Sequence, residues 1–231
     1  MKIRFRFERS EELKYIGHLD VMRLFERAFK RAELPVAHSQ GFNPRPHIVF
    51  AQPMPLGLSS SGEFADVELE KRYELNIFLE KLNAALPDGI KAVDARESTS
   101  NRNIMSIVEA ARYRIDFNAM QSSDIDSIIS KVLSEKRIIV FKKTKSGEKE
   151  FDIRPLIYEI TGEANDGTGF FNVLLSSGQH NNVRPELFFE GVRICTGIDI
   201  EMTKMHRIML YGRAENKWLP LTDERFLQRD L

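Results

Sequence analysis

Cysteine is almost missing from this chain: Cys195 stands alone in 231 residues. One thiol excludes an intramolecular disulfide, and it excludes an iron–sulfur cluster or cysteine-rich zinc site made by this chain by itself. Long apolar runs are missing too. No uncharged stretch approaches the roughly 20 residues of a membrane span, so a membrane is not an expected partner. Met1-Lys2-Ile3-Arg4-Phe5-Arg6-Phe7 alternates apolar and charged residues, unlike a secretory leader, and with the lone thiol this fits a reducing cytoplasm. Net charge is missing: 34 Lys and Arg meet 34 Asp and Glu, which removes any global pull toward nucleic acid. Glycine-rich phosphate loops of the Walker or dinucleotide-binding kind do not occur. The five histidines, His18, His38, His47, His180 and His206, show no metal-pair spacing. No metal and no cofactor is therefore expected to be bound by this chain alone. What remains, 42% hydrophobic and 29% charged residues, is ordinary for a globular protein. The length suits one large domain or two of about 100 residues.

The charge that cancels globally does not cancel locally. Residues 1–50 carry ten Lys and Arg against six Asp and Glu, and residues 51–101 carry five against nine. A bipolar first half can present a basic face to an anionic partner while the whole chain stays neutral. The periodicity gives the elements. Ile3, Phe5 and Phe7 alternate with charged residues over 2–8, a strand. Leu19, Met22, Phe25, Phe29 and Ala32 step by three and four over 18–33, a helix that Leu34-Pro35 stops. Residues 47–52 and 63–69 read as strands around a polar turn at Ser59–Gly62, 73–86 as a second helix, and 90–95 as a strand. That order is β-α-β-β-α-β, the ferredoxin-like or split βαβ unit. Residues 98–110 read as a linker, with a capped crossing loop as the other reading of Ser98–Ser106. The second half nearly repeats the order. A strand at 111–117 precedes a helix at 124–134 capped by Ser122-Ser123-Asp124. Strands follow at 137–143 and 150–160 around a hairpin turn at 145–148, then one at 169–176. A short helix at 185–191 and a long strand at 199–211 complete the set. The expectation is an α+β protein of two tandem ferredoxin-like (βαββαβ) domains with antiparallel sheets, 1–97 and 111–231. The second has an extra strand and a C-terminal tail. One continuous sheet shared by both halves is the alternative.

Candidate functional residues concentrate between positions 18 and 46. His18 and Asp20 open the first helix, and Arg23, Arg27 and Arg31 step by four along one face. Guanidinium groups bind phosphate oxygens bidentately, so the row suits a phosphate backbone. It equally suits plain solvent, with Asp20 serving the helix dipole. Ser39-Gln40-Gly41-Phe42-Asn43-Pro44-Arg45-Pro46 is the most distinctive stretch. Its prolines stiffen a loop in which Ser39, Gln40, Asn43 and Arg45 offer hydrogen bonds; a rigid structural turn is the other reading. The expectation is that His18 points to the same end of the helix as this loop, so that both form one anion-accepting pocket. In the second half Lys142, Lys143, Lys145 and Lys149 flank a hairpin tip, either a backbone grip or a solubilising edge. Arg154 and Arg184 each precede a proline. Trp218 reads as an anchor for the tail.

Tyr15–Asp20, the helix with Arg23 and Arg27, Leu34-Pro35, Ser39–Pro46 and Pro55-Leu56-Gly57 together resemble the bacterial radical SAM-linked family, a domain of unknown function found alone or attached to a larger radical S-adenosylmethionine protein. The resemblance covers roughly residues 1–70, with fragments such as Ile153-Arg154-Pro155 beyond. It implies a bacterial, cytoplasmic accessory domain, often encoded near RNA-processing and ribosomal genes, and supplies no catalytic residue. Three functions follow as expectations. The first is an RNA-binding accessory module for tRNA or rRNA beside a radical SAM enzyme. The second is a metal-independent RNA-acting enzyme such as a ribonuclease, with His18, Ser39 and Arg45 as catalytic candidates. The third is a protein-only adaptor for the radical SAM partner, docking through the acidic 63–97 region. Phe5, Phe7 and Phe64 read as core residues, which leaves the sheet without the exposed aromatics that usually stack RNA bases.

Overall fold

A computed structural model describes residues 1–119, 125–144, 147–198 and 200–229. In chain order the elements are β1 (Lys2–Arg9), α1 (His18–Arg31), β2 (Ile48–Phe50), β3 (Leu58–Glu68), α2 (Leu75–Ala85), β4 (Ile90–Glu97) and α3 (Ile104–Ile107). Then come β5 (Ala110–Ala119), α4 (Ile125–Ser134), β6 (Ile139–Thr144), β7 (Gly147–Asp152), β8 (Ile157–Asn165), β9 (Thr168–Ser176), α5 (Pro185–Thr196), β10 (Ile200–Ala214), β11 (Lys217–Pro220) and α6 (Glu224–Leu227). The fold is mixed α+β with a large, mostly antiparallel sheet. The chain divides into two units: Met1–Glu109 with Met209–Leu231, and Ala110–Ile208.

In the first unit the strand order is β4-β1-β3-β2, each pair antiparallel. Helices α1 and α2 cover one face through an aromatic cluster. Phe7 lies 4.8 Å from Phe25, Phe5 5.7 Å from Phe25, and Phe5 5.9 Å from Phe78, centroid to centroid. Burying each such ring contributes about 1.5–3 kcal/mol, so this cluster anchors the unit. Helix α1 turns most of the expected stripe inward, with Phe25, Phe29 and Ala32 buried and Met22 packed against the core, and departs from it at Leu19. Val21 and Ala28 are buried as well, whereas Leu19 is exposed. Leu19 belongs to the row that continues through Arg23, Arg27 and Arg31, and a helix has room for only one such row per face.

The opposite face of this sheet is also covered, by the end of the chain. Arg4 is fully buried and forks onto Asp66, Nε to Oδ1 at 2.7 Å and Nη2 to Oδ2 at 3.0 Å. Its Nη1 donates to the carbonyls of Leu221 and Phe226. The expected division therefore needs correcting. Residues 209–231 belong with the first unit, not the second. Nor is 98–110 a free linker: Ser98 N–H donates to Lys2 O, Thr99 and Ser100 N–H donate to Leu227 O, and Ile104 and Ile107 are buried. Ser59 and Ser60, read as a polar turn, are instead buried inside β3.

The second unit has β5 between β10 and β9, with β8 outside β9, and the hairpin β6-β7 is a separate two-stranded sheet. The single strand expected over 150–160 is two strands. Asp152 Oδ1 accepts from Ile138 N–H and Arg154 N–H, and a helical turn at Arg154–Leu156 separates β7 from β8. Helix α5 runs past Gly191, where a stop was expected. A Cβ at Gly191 would lie 2.7 Å from Ile153 Cδ1, so this glycine permits close packing. The helix ends at Gly197, which has φ of 71°. The expected cap at 122–124 lies outside the described residues.

Candidate functional site

The split βαβ order of the first unit decides where its candidate residues fall. Strands β1 and β2 both run antiparallel to β3, so they end at the same edge of the sheet, and α1 begins there. His18, the first residue of α1, sets its ring edge-on to Phe50 at the end of β2, 5.7 Å between centroids. Gly17 occupies the N-cap with an extended backbone and no side-chain cap, and Asp20 lies in the first turn, where a carboxylate suits the helix dipole. Arg9, the last residue of β1, is buried and pins this edge. Its Nη1 donates to Ile16 O at 2.9 Å, and its Nη2 donates to the carbonyls of Pro55 and Leu58. Gly57 N–H donates to Lys14 O. The Tyr15–Asp20 and Pro55–Gly57 motifs are thus two sides of one joint. Beside it Tyr15 is 72% exposed and Leu56 is 61% exposed, while the hydrogen bond to Glu11 holds the Lys14 ammonium charged to higher pH than usual.

The arginine row occupies the α2-facing shoulder of α1. Asp20, Arg23, Arg27 and Arg31, with Ile16, Leu24 and Pro87, line an open groove of about 330 Å³. Arg23 pairs with Asp20 at 3.2 Å, both well exposed. Arg31 Nη2 donates to Ala85 O at 2.6 Å, closing the last turn of α2. Arg27, between them, makes no ion pair or hydrogen bond among the described residues. One carboxylate against three guanidiniums leaves the groove cationic. The remaining two positive charges sit on a helix face where successive arginines rise about 6 Å.

The 39–46 loop does not join this groove or His18. His38 and Pro46 form an isolated bridge, and His47 N–H donates to Ala37 O. The loop therefore springs from the start of β2, whereas His18 packs at the end of β2, and α1 carries the chain from one edge to the other. Ser39 and Arg45 are brought together: Ser39 N–H donates to Arg45 O, and Arg45 N–H donates to Ser39 Oγ, both at 2.9 Å. Gln40 and Asn43 lie between them, both exposed. The single pocket expected from His18 and Arg45 is thus replaced by two separate features, and the three catalytic candidates do not form one centre. The sequence could not show this, because the α1-to-β2 connection contains a hairpin whose direction no periodicity encodes.

In the second unit, Lys142 stands opposite Lys149 in the β6-β7 hairpin, and Lys142 Nζ lies 4.9 Å from the Phe151 ring centroid. Lys143 faces Glu148 in register, and Lys145 lies outside the described residues. Arg154 is structural, donating to Leu133 O at the end of α4 and to Ile157 O. Arg184 is the N-cap of α5. Burial, and then Glu135, push the Cys195 thiol pKa up, which disfavours its thiolate. Among the described residues no group of three or more His, Cys, Asp or Glu could hold a metal ion.

Two features escaped the sequence reading. Phe42, at the loop tip, is fully exposed. A second groove, of about 590 Å³, lies on the other shoulder of α1, where Glu26, Lys30, Glu33, His38 and Glu70 surround Phe29, Leu34 and Val36. Its members are scattered from 26 to 70, so only the fold assembles them.

The fold and these grooves define a mixed α+β protein with a cationic helix face and without a metal-ligand cluster among the described residues. Residues 2–185 match a bacterial protein family described as "Uncharacterized protein conserved in bacteria (DUF2344)", and the chain belongs to that family. No curated protein matches. Among solved structures, a chain in the crystal structure of a Cbf5-Nop10-Gar1 complex is similar, with a TM-score of 0.54 and 11% identity over 92% of this chain and 50% of that one. A chain of the archaeal box H/ACA sRNP Nop10-Cbf5 complex gives a TM-score of 0.47 and 10% identity over 89% and 46%. This chain spans about half the length of each, and at 11% identity the likeness to the first is one of fold alone.

Proposed function

We propose that this protein is an RNA-binding accessory module, acting on tRNA or rRNA through the arginine face of α1. The observation that carries the reading is the groove in which Arg23, Arg27 and Arg31 meet one carboxylate, Asp20. Exposed guanidiniums in a row match a phosphate backbone in charge and hydrogen-bonding geometry. The sheet of the first unit is not the platform. Phe5, Phe7 and Phe64 are buried, and the Arg4–Asp66 pair lies under the chain's own C-terminal segment. RNA would meet the helices instead. We read the two units as tandem ferredoxin-like folds, the second with the β6-β7 hairpin inserted. Both have the element order βαββαβ, and the strand order 4-1-3-2 recurs as β4-β1-β3-β2 and β10-β5-β9-β8. A radical SAM enzyme as working partner rests on the motif resemblance and on the single cysteine, which leaves cluster chemistry to another chain. A cytoplasmic location and the lack of a bound cofactor belong to the same reading. A docking role for the acidic 63–97 stretch is less favoured, since Glu63 and Asp66 are buried.

The test is Arg23→Glu with Arg27→Glu, leaving Arg31 in place because it closes α2. Binding of total bacterial tRNA or rRNA should weaken at least tenfold. The slope of log affinity against log salt should fall by about 0.7–0.9 for each phosphate that the variant no longer neutralises. Unchanged affinity and slope would refute the reading.

A further inference from the structure

The 38–46 hairpin is closed by main-chain and side-chain hydrogen bonds, yet its tip holds an aromatic ring in water. Phe42 has a relative exposure of 106%, the highest of the large apolar side chains among the described residues. Gly41 beside it has φ of 124°, and a Cβ added there would meet nothing within 4 Å. Nothing in the fold uses the ring. The hairpin is rigid where it matters, since Pro44 and Pro46 restrict the residues before them and Ser39 locks to Arg45 at both ends. A stiff loop that displays a large apolar side chain is preorganised for a ligand.

The stretch's own side chains indicate which ligand. From Leu34 to Gly62 the chain contains no Asp or Glu, although 34 of its 231 residues are acidic. The ionisable groups in that stretch are Arg45, His38 and His47. Gln40 and Asn43, two residues before and one after Phe42, supply amides that can pair with a base edge. Arg45 supplies a phosphate contact. An aromatic face to stack on, amides for an edge and a guanidinium for a phosphate together fit a nucleotide whose base is out of a helix. Carboxylates stand at the foot of the hairpin, where Glu68 pairs with His47 and Glu70 lines the second groove with His38.

We infer that Phe42 is a base-stacking side chain and that the 38–46 hairpin takes an unpaired nucleotide of the bound RNA. This rests on the RNA reading above and narrows it to RNA with single-stranded character. The hairpin and the arginine row, set on different parts of the first unit, then grip the RNA in two different ways, one at a base and one at the backbone.

The experiment uses the whole chain with a labelled single-stranded oligoadenylate and a blunt duplex RNA of equal length. Phe42→Ala should lose about tenfold in affinity for the oligoadenylate and keep its affinity for the duplex. Phe42→Trp should retain single-strand binding, and oligoadenylate should quench its added indole emission. Equal oligoadenylate affinity of the parent and Phe42→Ala overturns the stacking role while leaving the arginine face intact. An equal loss on both RNAs overturns the preference for an unpaired nucleotide. A parent that binds neither RNA overturns the RNA reading itself.

Discussion

Glu33 shows how far a single residue can depart from what its type prefers. It follows the end of α1 with φ of 53°, in the left-handed region that glycine normally fills. Leu34 N–H returns to Phe29 O, and Glu33 N–H returns to Lys30 O, while Phe29 and Leu34 bury together. The stop at Leu34-Pro35 was legible, since proline bars a further turn. The left-handed glutamate was not, because its identity argues against the conformation it adopts. Its side chain lines the second groove with Glu26 and Glu70. Glu33→Gly should raise stability by about 0.5–1 kcal/mol, read by urea unfolding, because the backbone penalty of a Cβ disappears. An unchanged or lower midpoint would show that the glutamate side chain offsets its own strain. The same limit applied to Leu19. The rest of its stripe was legible, but at the start of the helix Val21 is buried in place of the bulkier Leu19.

Elements of two or more turns were readable; of the shortest, β2 was expected within 47–52 and the others were not. Strands β1 and β4 and helices α1 and α2 came within a few residues of their observed limits because period two and period 3.6 had room to repeat. Helices α3 and α6 have four residues each, and β11 has four, too few for any period to show. What joins elements was equally invisible. Arg9 sits at the end of an alternating strand and read as one more charged residue, yet it fastens β1 to the approach to α1 and to the β2–β3 connection. Replacing it with methionine fills the space but takes the guanidinium donor from the carbonyls of Ile16, Pro55 and the buried Leu58. Arg9→Met should cost about 3 kcal/mol in chemical unfolding. Faster amide exchange at residues 14–18 and 55–58 should accompany the loss. A loss below about 1 kcal/mol would show that water or neighbouring amides replace the guanidinium.

For the molecule as a whole, the element order was legible and the partition was not. Composition placed a boundary near 98 and assigned everything after it to a second domain, but residues 209–231 complete the first unit. Long-range return of a chain end leaves no local trace. Asp223 helps hold that end down. It caps α6 by accepting from Arg225 N–H, and its side-chain hydrogen bonds with Arg225 hold its carboxyl below the usual carboxylate range. A depressed folded pKa means that the unfolded chain binds the proton more tightly. The contribution is present above the ordinary carboxylate range and disappears as pH falls through the depressed value. Asp223→Ala should therefore cost about 1 kcal/mol near neutral pH, and the gap between variant and parent should close well below pH ~4. A gap independent of pH would place the effect in packing instead. The returning segment also sets an order of events during synthesis. The central unit, Ala110–Ile208, is continuous and can fold once it clears the ribosome. The unit that begins at the first residue must wait, with Arg4 and Asp66 uncovered, until Leu221 and Phe226 have emerged.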